Sequence, residues 1–294
     1  VVVKERLRPG KMLLVDTVKG KLIDDEDIKE YYSTKQPYGE WLDQNLLHLG
    51  DLKIPNKGIE KYDKESLVRH QKAFGYTYEQ IRTSILPMAK NGTEPIAAMG
   101  ADTAIPPLSL KDGPLFNYFK QLFAQVTNPP FDSIREEIVT DTSVHLGSNG
   151  NILEEKPENC HILKIEDPIL TNTDLLKIKN IDAPGLKSAV IPITYYKSTN
   201  LAKAIEHLFI LADKAYKDGA NIIILSDRGV DEYHVAIPSL LAVSAMQQHL
   251  VRTKKRTSIS VVLESAEPCE VHHFATLLGY GASAINPYLA QETI

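Results

Sequence analysis

The stretch GANIIILSDRG, residues 219–229, determines how this chain folds. Its centre, residues 221–225, is a continuous apolar run rich in β-branched side chains, which is typical of a strand covered on both faces of a parallel sheet. Gly219 is suited to end the helix predicted just before it, where apolar residues recur at helical spacing from Leu201 to Ala215. Residues 226–229 therefore follow the carboxyl end of a buried strand.

The same alternation continues toward the end of the chain. It predicts a helix over 238–251, a strand over 258–263, a helix over 270–278 and a strand at 284–286. Gly219-Ala220 and Gly281-Ala282 mark equivalent helix-to-strand turns. Helices and strands joined by short loops form parallel β/α crossovers. We therefore expect an α/β fold with an incomplete, barrel-like parallel sheet in the C-terminal half and a more irregular, helical N-terminal part.

The first half of the chain carries weaker signals. Residues 12–15 predict a short buried strand, the acidic run 24–27 predicts a helix start, and Thr77 with Gln80 predicts a capping box that opens a helix over 78–88. Leu115, Phe119, Leu122 and Val126 lie at helical spacing and predict an amphipathic helix. The tract 141–200 is interpreted as a long departure from the regular helix and strand pattern rather than as a disordered linker. We treat residues 1–294 as one domain, with an irregular connector part over 1–110 and a β/α part over 111–294.

Composition excludes several classes of function. The 294 residues carry a formal charge of −5, so no basic field recruits nucleic acid or a membrane surface. No apolar run reaches the ~18 residues of a membrane span. Cys160 and Cys269 form no Cys-x-x-Cys motif, which argues against a disulfide scaffold, a zinc module or an iron–sulfur site. We expect a cytoplasmic protein, and the start at Val1 suggests a piece of a longer chain.

Polar residues follow two of the predicted strands. Asp227 and Arg228 come after the first strand and Glu264 after the second, at the edge where α/β folds place their sites. An aspartate there could act as a base and an arginine could hold a carboxylate or phosphate. A buried or interdomain ion-pair network is the structural alternative. The residues alone leave both interpretations open.

Two adjacent histidines, His272 and His273, lie on the last predicted helix. Side chains one residue apart on a helix diverge by about 100°, so they cannot share a metal as residues four apart would. We expect a packed or hydrogen-bonded histidine beside a buried face made of Val271, Phe274, Ala275 and Leu278. Nucleotide-binding glycine loops and a nucleophile elbow are absent from the sequence. The pattern therefore contains no self-sufficient catalytic set.

Several longer motifs match one known family. They are RPGKM (8–12), PY (37–38), FGYT (74–77), EPI (94–96), LFAQVTNPP (122–130), IREE (134–137), LSDR (225–228), IPSLLAV (237–243), VHHF (271–274) and GYGASAINPYLA (279–290). Together they resemble the central domain of the large chain of glutamate synthase. The resemblance covers essentially the whole chain.

The resemblance implies a division of labour in a larger enzyme. Glutamate synthase makes two glutamates from glutamine and 2-oxoglutarate, and is an oxidoreductase with amidotransferase activity. An amidotransferase domain with an N-terminal cysteine releases ammonia, and a synthase domain with FMN and a three-iron, four-sulfur cluster reduces the iminoglutarate. The central domain lies between these two partners in the same polypeptide, without a cofactor, and helps to wall the ammonia path. This segment is then a non-catalytic scaffold with no catalytic, cofactor-binding or metal-binding residue, inactive in isolation.

Two segments are candidates for that ammonia route or for a domain boundary. A conduit for ammonia needs small side chains and few charges, and glycine allows two backbones to approach closely. The candidates are Met99, Gly100, Asp102, Thr103, Gln125, Thr127 and Asn128. Asp227 and Arg228 are the structural ion-pair candidates. The alternative function is a free-standing β/α-barrel enzyme or phosphate-binding protein using Asp227, Arg228, Glu264 and His272.

Overall fold

A computed structural model describes residues 4–59, 61–96, 107–108, 113–120, 126–128 and 130–294. The strands are β1 (Leu14–Asp16), β2 (Lys21–Ile23), β3 (Leu47–His48), β4 (Val144–Gly147), β5 (Ile162–Ile165), β6 (Ser188–Pro192), β7 (Thr194–Tyr196), β8 (Ile222–Ser226), β9 (His234–Ala236), β10 (Ser260–Glu264) and β11 (Ala284–Asn286). The α-helices are α1 (Asp25–Thr34), α2 (Tyr38–Asn45), α3 (Lys64–Ala73), α4 (Tyr78–Gln80), α5 (Leu86–Asn91), α6 (Glu136–Val139), α7 (Asn172–Lys179), α8 (Leu201–Lys217), α9 (Ser239–Arg252), α10 (Val271–Gly279) and α11 (Tyr288–Thr293).

A four-stranded parallel sheet forms the centre of the fold. Its strand order is β11-β10-β8-β6, and every neighbouring pair is parallel. The register places Ser226 and Asn286 on either side of Glu264 at the carboxyl end. The prediction of parallel β/α units is confirmed. The sheet is open rather than closed into a barrel, so the barrel-like part of the expectation is not confirmed.

Each face of this sheet packs against a different layer. Ile223, Leu263 and Ile285 belong to a core shared with α8, α9 and α10. Ile222, Val262 and Ala284 face the other way and pack on α7 and strands β4 and β5. Because both faces are covered, β8, β10 and β11 are buried along their whole length, as the apolar runs predict.

The two Gly-Ala turns that the sequence marks are equivalent in space. Gly219 has a φ of +89° and Gly281 a φ of +115°, in the left-handed region that glycine favours. In each turn the following alanine N–H donates to a carbonyl five residues back, from Ala220 to Ala215 and from Ala282 to Leu277. These bonds end α8 and α10 and lead directly into β8 and β11.

The tract 141–200 contains more regular structure than the sequence predicts. It holds β4, β5, α7 and the edge strand β6, and β5 pairs with β3 in a second sheet of order β3-β5-β4. Strands β4, β5 and β6 have only four or five residues each and break the alternating pattern, so local periodicity does not reveal them. Tertiary pairing decides their structure.

The N-terminal part is folded but exposed. Strands β1 and β2 form an antiparallel hairpin, and Asp24 caps α1 as the acidic run predicts. The prediction of a buried strand at 12–15 is wrong, because Leu14 and Val15 are 47% and 59% exposed. Among the residues that the structure describes, none forms a layer that covers these side chains.

Helix 78–91 follows its prediction with one irregularity. Thr77 Oγ1 accepts the N–H of Gln80, but the Gln80 side chain points elsewhere, so only half of the capping box forms. The middle turn, Ile81–Ile85, is a π-helix. Pro87 follows it and lacks the N–H that an α-helical bond to residue 83 requires, which accounts for the wider turn there.

Two helix predictions need correction. Instead of an amphipathic helix from Leu115, a 3₁₀ turn spans Leu115–Tyr118 and Phe119 is extended, because Phe116 is buried against the main core. On α10, the buried side chains are His272, His273 and Leu277, not the face through Val271 and Ala275. Among the described residues, no helix combines the length and apolar character that crossing a membrane requires.

Candidate functional site

The carboxyl end of the parallel sheet gathers two cationic side chains and one hydroxyl around a single carboxylate. Glu264, at the end of β10, is 2% exposed. Its Oε1 accepts from Arg228 Nε at 2.7 Å, and its Oε2 accepts from Lys179 Nζ at 2.7 Å. Ser226 Oγ, at the end of β8, donates to the same Oε2 at 2.6 Å. Burial by itself raises the pKa of Glu264, but Lys179, Ser226 and Arg228 together lower it, so the carboxylate stays charged.

Arg228 is held from two directions. Its guanidinium carbon lies 3.9 Å from the ring centroid of Tyr288, the first residue of α11. Burial disfavours the charged form, but the Glu264 carboxylate outweighs this and raises the pKa of Arg228. Stacking on the Tyr288 ring and the hydrogen bond to Glu264 together fix the orientation of the Arg228 guanidinium. Arg228 follows β8, Glu264 ends β10 and Tyr288 follows β11, so these contacts connect the ends of the three strands.

Asp227 lies beside this group, and the hydrogen bonds of its side chain come from neutral donors. Its carboxylate is 1% exposed and accepts from Ser265 Oγ at 2.5 Å, Tyr288 Oη at 2.8 Å and Ala266 N at 3.0 Å. Burial raises the pKa of Asp227 to about 7, although these three donors act in the opposite direction. Asp227 is therefore part of a hydrogen-bond network, whereas Arg228 forms the ion pair.

A cavity of about 810 Å³ opens beside Asp227. Helix 78–91 lines one side, and the loop after β10 lines the other with Glu267, Cys269 and Glu270. Gln80 Nε2 crosses to Cys269 Sγ at 3.1 Å and to Glu270 Oε1 at 2.9 Å. Glu267 Oε2 accepts the N–H of Ser239 at 2.7 Å, at the start of α9. None of the described lining residues is a lysine or arginine, so none of them offers a counter-charge to phosphate.

Both histidines of α10 are buried and hydrogen-bonded, as predicted for a packing role. His272 Nε2 contacts the carbonyl oxygen of Phe116 at 3.0 Å. His273 Nδ1 accepts the N–H of Cys269 at 3.2 Å, and its ring stacks on Phe116. Burial lowers the pKa of His273 to about 4. Burial also raises the pKa of the Cys269 thiol, so this pair is neutral and does not form a reactive thiolate.

The structure brings some of the candidate residues together and leaves others apart. Arg228 and Glu264 are bonded, and the backbone N–H of Asp227 donates to the carbonyl of Glu264 at 3.1 Å. His272 turns toward the Phe116 carbonyl instead of joining them. Thr127 and Asn128 are exposed. Met99, Gly100, Asp102, Thr103 and Gln125 lie outside the described residues.

Three members of this group escape sequence reasoning. Ser265 and Tyr288 follow strands β10 and β11 at the edge where Asp227 follows β8, so the same positional rule could find them. Lys179 ends α7, far from the strands in sequence, and reaches Glu264 across 85 residues. Only the packing of α7 on the sheet reveals it.

The strand ends do not fit a flavin phosphate. In the described part of the chain, Lys179 and Arg228 are the cations at this edge, and both contact the buried Glu264 carboxylate, which would repel a phosphate. Within residues 4–59, 61–96 and the other described segments, no three His, Cys, Asp or Glu side chains are grouped to hold a metal ion. The contacts among Arg228, Glu264 and Tyr288 connect the ends of three strands.

The fold and this site define an open, parallel α/β unit whose ligand edge is filled by its own side chains. The sequence model described as "Glutamate synthase central domain" matches residues 69–294, and the model "Glutamine amidotransferases class-II" matches residues 1–41. The chain belongs to the glutamate synthase central domain family.

Three relatives with different names are similar to this chain, with comparable sequence identities. The chain is 45% identical to the "Glutamate synthase [NADPH] large chain" of Bacillus subtilis, 41% to the "Glutamate synthase [NADH]" of Schizosaccharomyces pombe and 40% to the "Ferredoxin-dependent glutamate synthase, chloroplastic" of Oryza sativa. Each match covers 100% of this chain but 19%, 14% and 18% of the respective relative. The chain thus spans less than a fifth of the length of these relatives.

Proposed function

We propose that this chain is the central segment of a glutamate synthase polypeptide and acts there as a non-catalytic scaffold between the amidotransferase and synthase parts. One observation carries the proposal. The two ends of the chain match two different modules, an amidotransferase over residues 1–41 and the central domain over 69–294. We place the join between these modules in residues 42–68.

Exposed apolar surfaces support an interdomain role. Leu14, Val15 and Leu22 of the β1–β2 hairpin are each about half exposed or more, at 47%, 59% and 59%. A two-stranded hairpin is marginal in water and needs a covering layer. Ile134 and Ile138, around α6, are 83% and 78% exposed. Exposed apolar side chains that lie close together are typical of surfaces that contact another protein or domain.

The filled strand ends support the absence of catalysis in this segment. The edge where α/β enzymes bind ligands is occupied by Glu264, Arg228 and Lys179 in contact with one another. We therefore assign no cofactor here and place FMN and the three-iron, four-sulfur cluster of the family resemblance in the synthase part. The relatives named for NADPH, NADH and ferredoxin share this segment, which favours an electron donor chosen elsewhere.

We further propose that Thr127 and Asn128, with Met99, Gly100, Asp102, Thr103 and Gln125, line a domain boundary near the ammonia route. Thr127 and Asn128 are small, uncharged and exposed. An uncharged wall would not retain ammonia as ammonium. These properties suit a conduit or its mouth.

The test uses the full-length polypeptide with Leu22→Asp, which puts a charge on the exposed apolar hairpin. We expect glutamine-dependent glutamate synthesis to fall several-fold, because a misplaced amidotransferase part no longer delivers ammonia. Synthesis from added ammonia and glutaminase turnover should change little. Thr17→Asp adds the same charge at a polar, exposed residue of the hairpin turn and is the matched control.

A second variant tests the route itself. Asn128→Trp should also lower glutamine-dependent synthesis selectively, whereas Asn56→Trp, at another exposed loop asparagine, should not. An equal loss of glutamine-dependent and ammonia-dependent synthesis in Leu22→Asp would contradict the scaffold role. No effect of Asn128→Trp would remove that residue from the route.

A further inference from the structure

The two edges of the parallel sheet differ in how their backbone groups are paired. At the β11 edge, the N–H of Ile285 donates to the carbonyl of Pro168 at 2.7 Å, and the carbonyl of Ile285 accepts from the N–H of Leu170 at 2.8 Å. At the other edge, β6 is the last strand in the order, and among the described strands it pairs with β8 alone. In the described part of the chain, one edge is therefore closed and the other is open.

The open edge is longer than β6 itself. Ile193 joins β6 to β7, and its N–H donates to the carbonyl of Ser226 at the end of β8, whereas its carbonyl accepts from the N–H of Ile237, which follows β9. Strands β6 and β7 thus form one extended run over residues 188–196, about 30 Å long at ~3.3 Å per residue, with β8 and β9 on the same side. A free edge of this length is a template for pairing with another strand.

Alternate backbone groups along this run point away from β8 and β9. Because Ile193 bonds inward through both its N–H and its carbonyl, the even-numbered residues of the run direct theirs outward. In the part of the chain that the structure describes, the backbone groups of Val190 and Thr194 have no hydrogen-bond partner. Pro192 lacks an N–H but keeps its carbonyl, as is typical of a proline on an edge strand. The Val190 side chain is 48% exposed, although the other strands of the sheet are buried.

A groove beside this edge offers contacts for side chains. It has a volume of about 260 Å³ and lies between β6 and α8, where Leu211 and Ala215 contribute to its apolar wall. Lys187 and Lys214 are exposed and line the same groove, whereas Asp218 is the one acidic residue among its described lining residues. The groove therefore suits a segment that carries apolar side chains and a carboxylate.

We propose that the free edge over residues 188–196 pairs with an extended strand from outside residues 1–294 of the same polypeptide, which has alternating apolar residues and a carboxylate facing Lys187 and Lys214. This inference rests on the proposed function, which places the chain inside a longer polypeptide. The chain makes up less than a fifth of the length of the relatives it matches, so most of such a polypeptide is available to supply the strand. A second copy of this chain suits the edge less well, because pairing two such edges brings in Pro192 twice, with one donor lost each time.

Hydrogen–deuterium exchange of the full-length polypeptide, resolved to single amides by electron-transfer fragmentation, tests the pairing. The amides of Ile191 and Ile193 point toward β8 and serve as the internal reference. We expect the amides of Val190 and Thr194 to exchange within about tenfold of that reference, because the added strand accepts both N–H groups. Exchange more than about tenfold faster than the reference would show an unpaired edge and overturn the proposal.

Photo-cross-linking identifies the strand that lies at the edge. The Lys214→benzoylphenylalanine variant of the full-length polypeptide places a reactive group at the groove without altering the edge itself. We expect cross-links to residues of the same molecule outside 1–294, identified by mass spectrometry. Tyr216→benzoylphenylalanine is the matched control, because Tyr216 lies on the same helix but faces Lys255, 5.6 Å from its ring centroid. It should not cross-link to the same peptide.

The two measurements together decide the proposal. Protection of Val190 with a cross-link from Lys214 to a segment outside residues 1–294 supports it. Cross-links only within residues 1–294, cross-links between two molecules, the same peptide captured from Tyr216, or protection without any cross-link would each overturn the proposed occupant. The exchange measurement needs no substitution, so it holds even where a probe disturbs folding.

The same probe at Val15 separates this inference from the proposed function. Val15 is 59% exposed on the β1–β2 hairpin, where the scaffold role predicts contact with the rest of the polypeptide. A cross-link from Val15 to a segment outside residues 1–294, with none from Lys214, would reject the added strand and retain the scaffold role. Absence of such cross-links from both positions would count against the two proposals together.

Discussion

The same ionic arrangement occurs in two regions of this molecule with different surroundings. In the parallel sheet, Glu264 binds Lys179 and Arg228. In the N-terminal part, Asp25 binds Lys11 at 2.8 Å and Lys29 at 2.9 Å. Each is one carboxylate between two cations.

The difference lies in the cations. Those around Glu264 are 24% and 17% exposed, whereas the Lys11 and Lys29 side chains are 47% and 54% exposed. Water and salt screen the N-terminal pairs, and their long side chains lose entropy when they are fixed. The burial of the paired side chains, and not their residue types, therefore determines how much each ion pair contributes to stability.

The largest expected effect comes from removing one cation in each region. Arg228→Ala should lower the free energy of unfolding by about 3–5 kcal/mol, because it leaves a buried carboxylate with only part of its compensation. Lys29→Ala should change it little, because the Lys29 side chain is 54% exposed and Asp25 keeps its ion pair with Lys11. Chemical denaturation of the two variants measures the difference. Equal losses would show that burial does not separate the two regions.

The two regions should also differ in how their stability depends on pH, and Asp227 and Asp16 report this difference. The pKa of Asp227 is raised by burial to about 7, so the folded state holds its proton at pH values where the unfolded state has released it. Stability must then fall as pH rises from about 4 to 7, and the parent should lose roughly 2 kcal/mol relative to Asp227→Asn between pH 5 and pH 8.

Asp16, at the end of β1, supplies the opposite sign. Backbone N–H groups of Lys19 and Val18, with Lys19 itself, lower the pKa of Asp16. Its contribution is complete above its unfolded pKa and is lost only as pH falls through the folded one. Asp16→Asn should therefore leave the slope between pH 5 and pH 8 unchanged. A pH-independent difference between parent and Asp227→Asn would contradict the buried, raised pKa.

The smallest effects concern two glycines in the left-handed region. Gly281→Ala forces a φ of +115° on alanine and places a Cβ 2.7 Å from Gln247 Oε1, so a destabilisation of about 1–3 kcal/mol is expected. Gly20→Ala, at a φ of +63° in the hairpin turn, meets no atom within 4 Å and should cost only about 1 kcal/mol. Thermal melts of the two variants measure this. A larger loss at Gly20 would indicate that the hairpin is as tightly packed as the sheet.

The parallel β/α order of the last hundred residues is predictable from the sequence alone. Buried strands carry long apolar runs and the Gly-Ala turns carry fixed φ values, so β8, β10, β11 and their helices are encoded locally. The same positional logic placed Asp227, Arg228 and Glu264 at one edge. It could not tell whether that edge binds a ligand or is filled by its own side chains.

The other features of the fold and of the site depend on tertiary contacts. Lys179 joins Glu264 because α7 packs across the sheet, and Phe116 leaves the predicted helix because the core offers it a buried position. Short strands such as β5 and β6 form because distant partners satisfy their backbone hydrogen bonds. These features depend on contacts between residues far apart in sequence, and periodicity within one segment contains no information about such contacts.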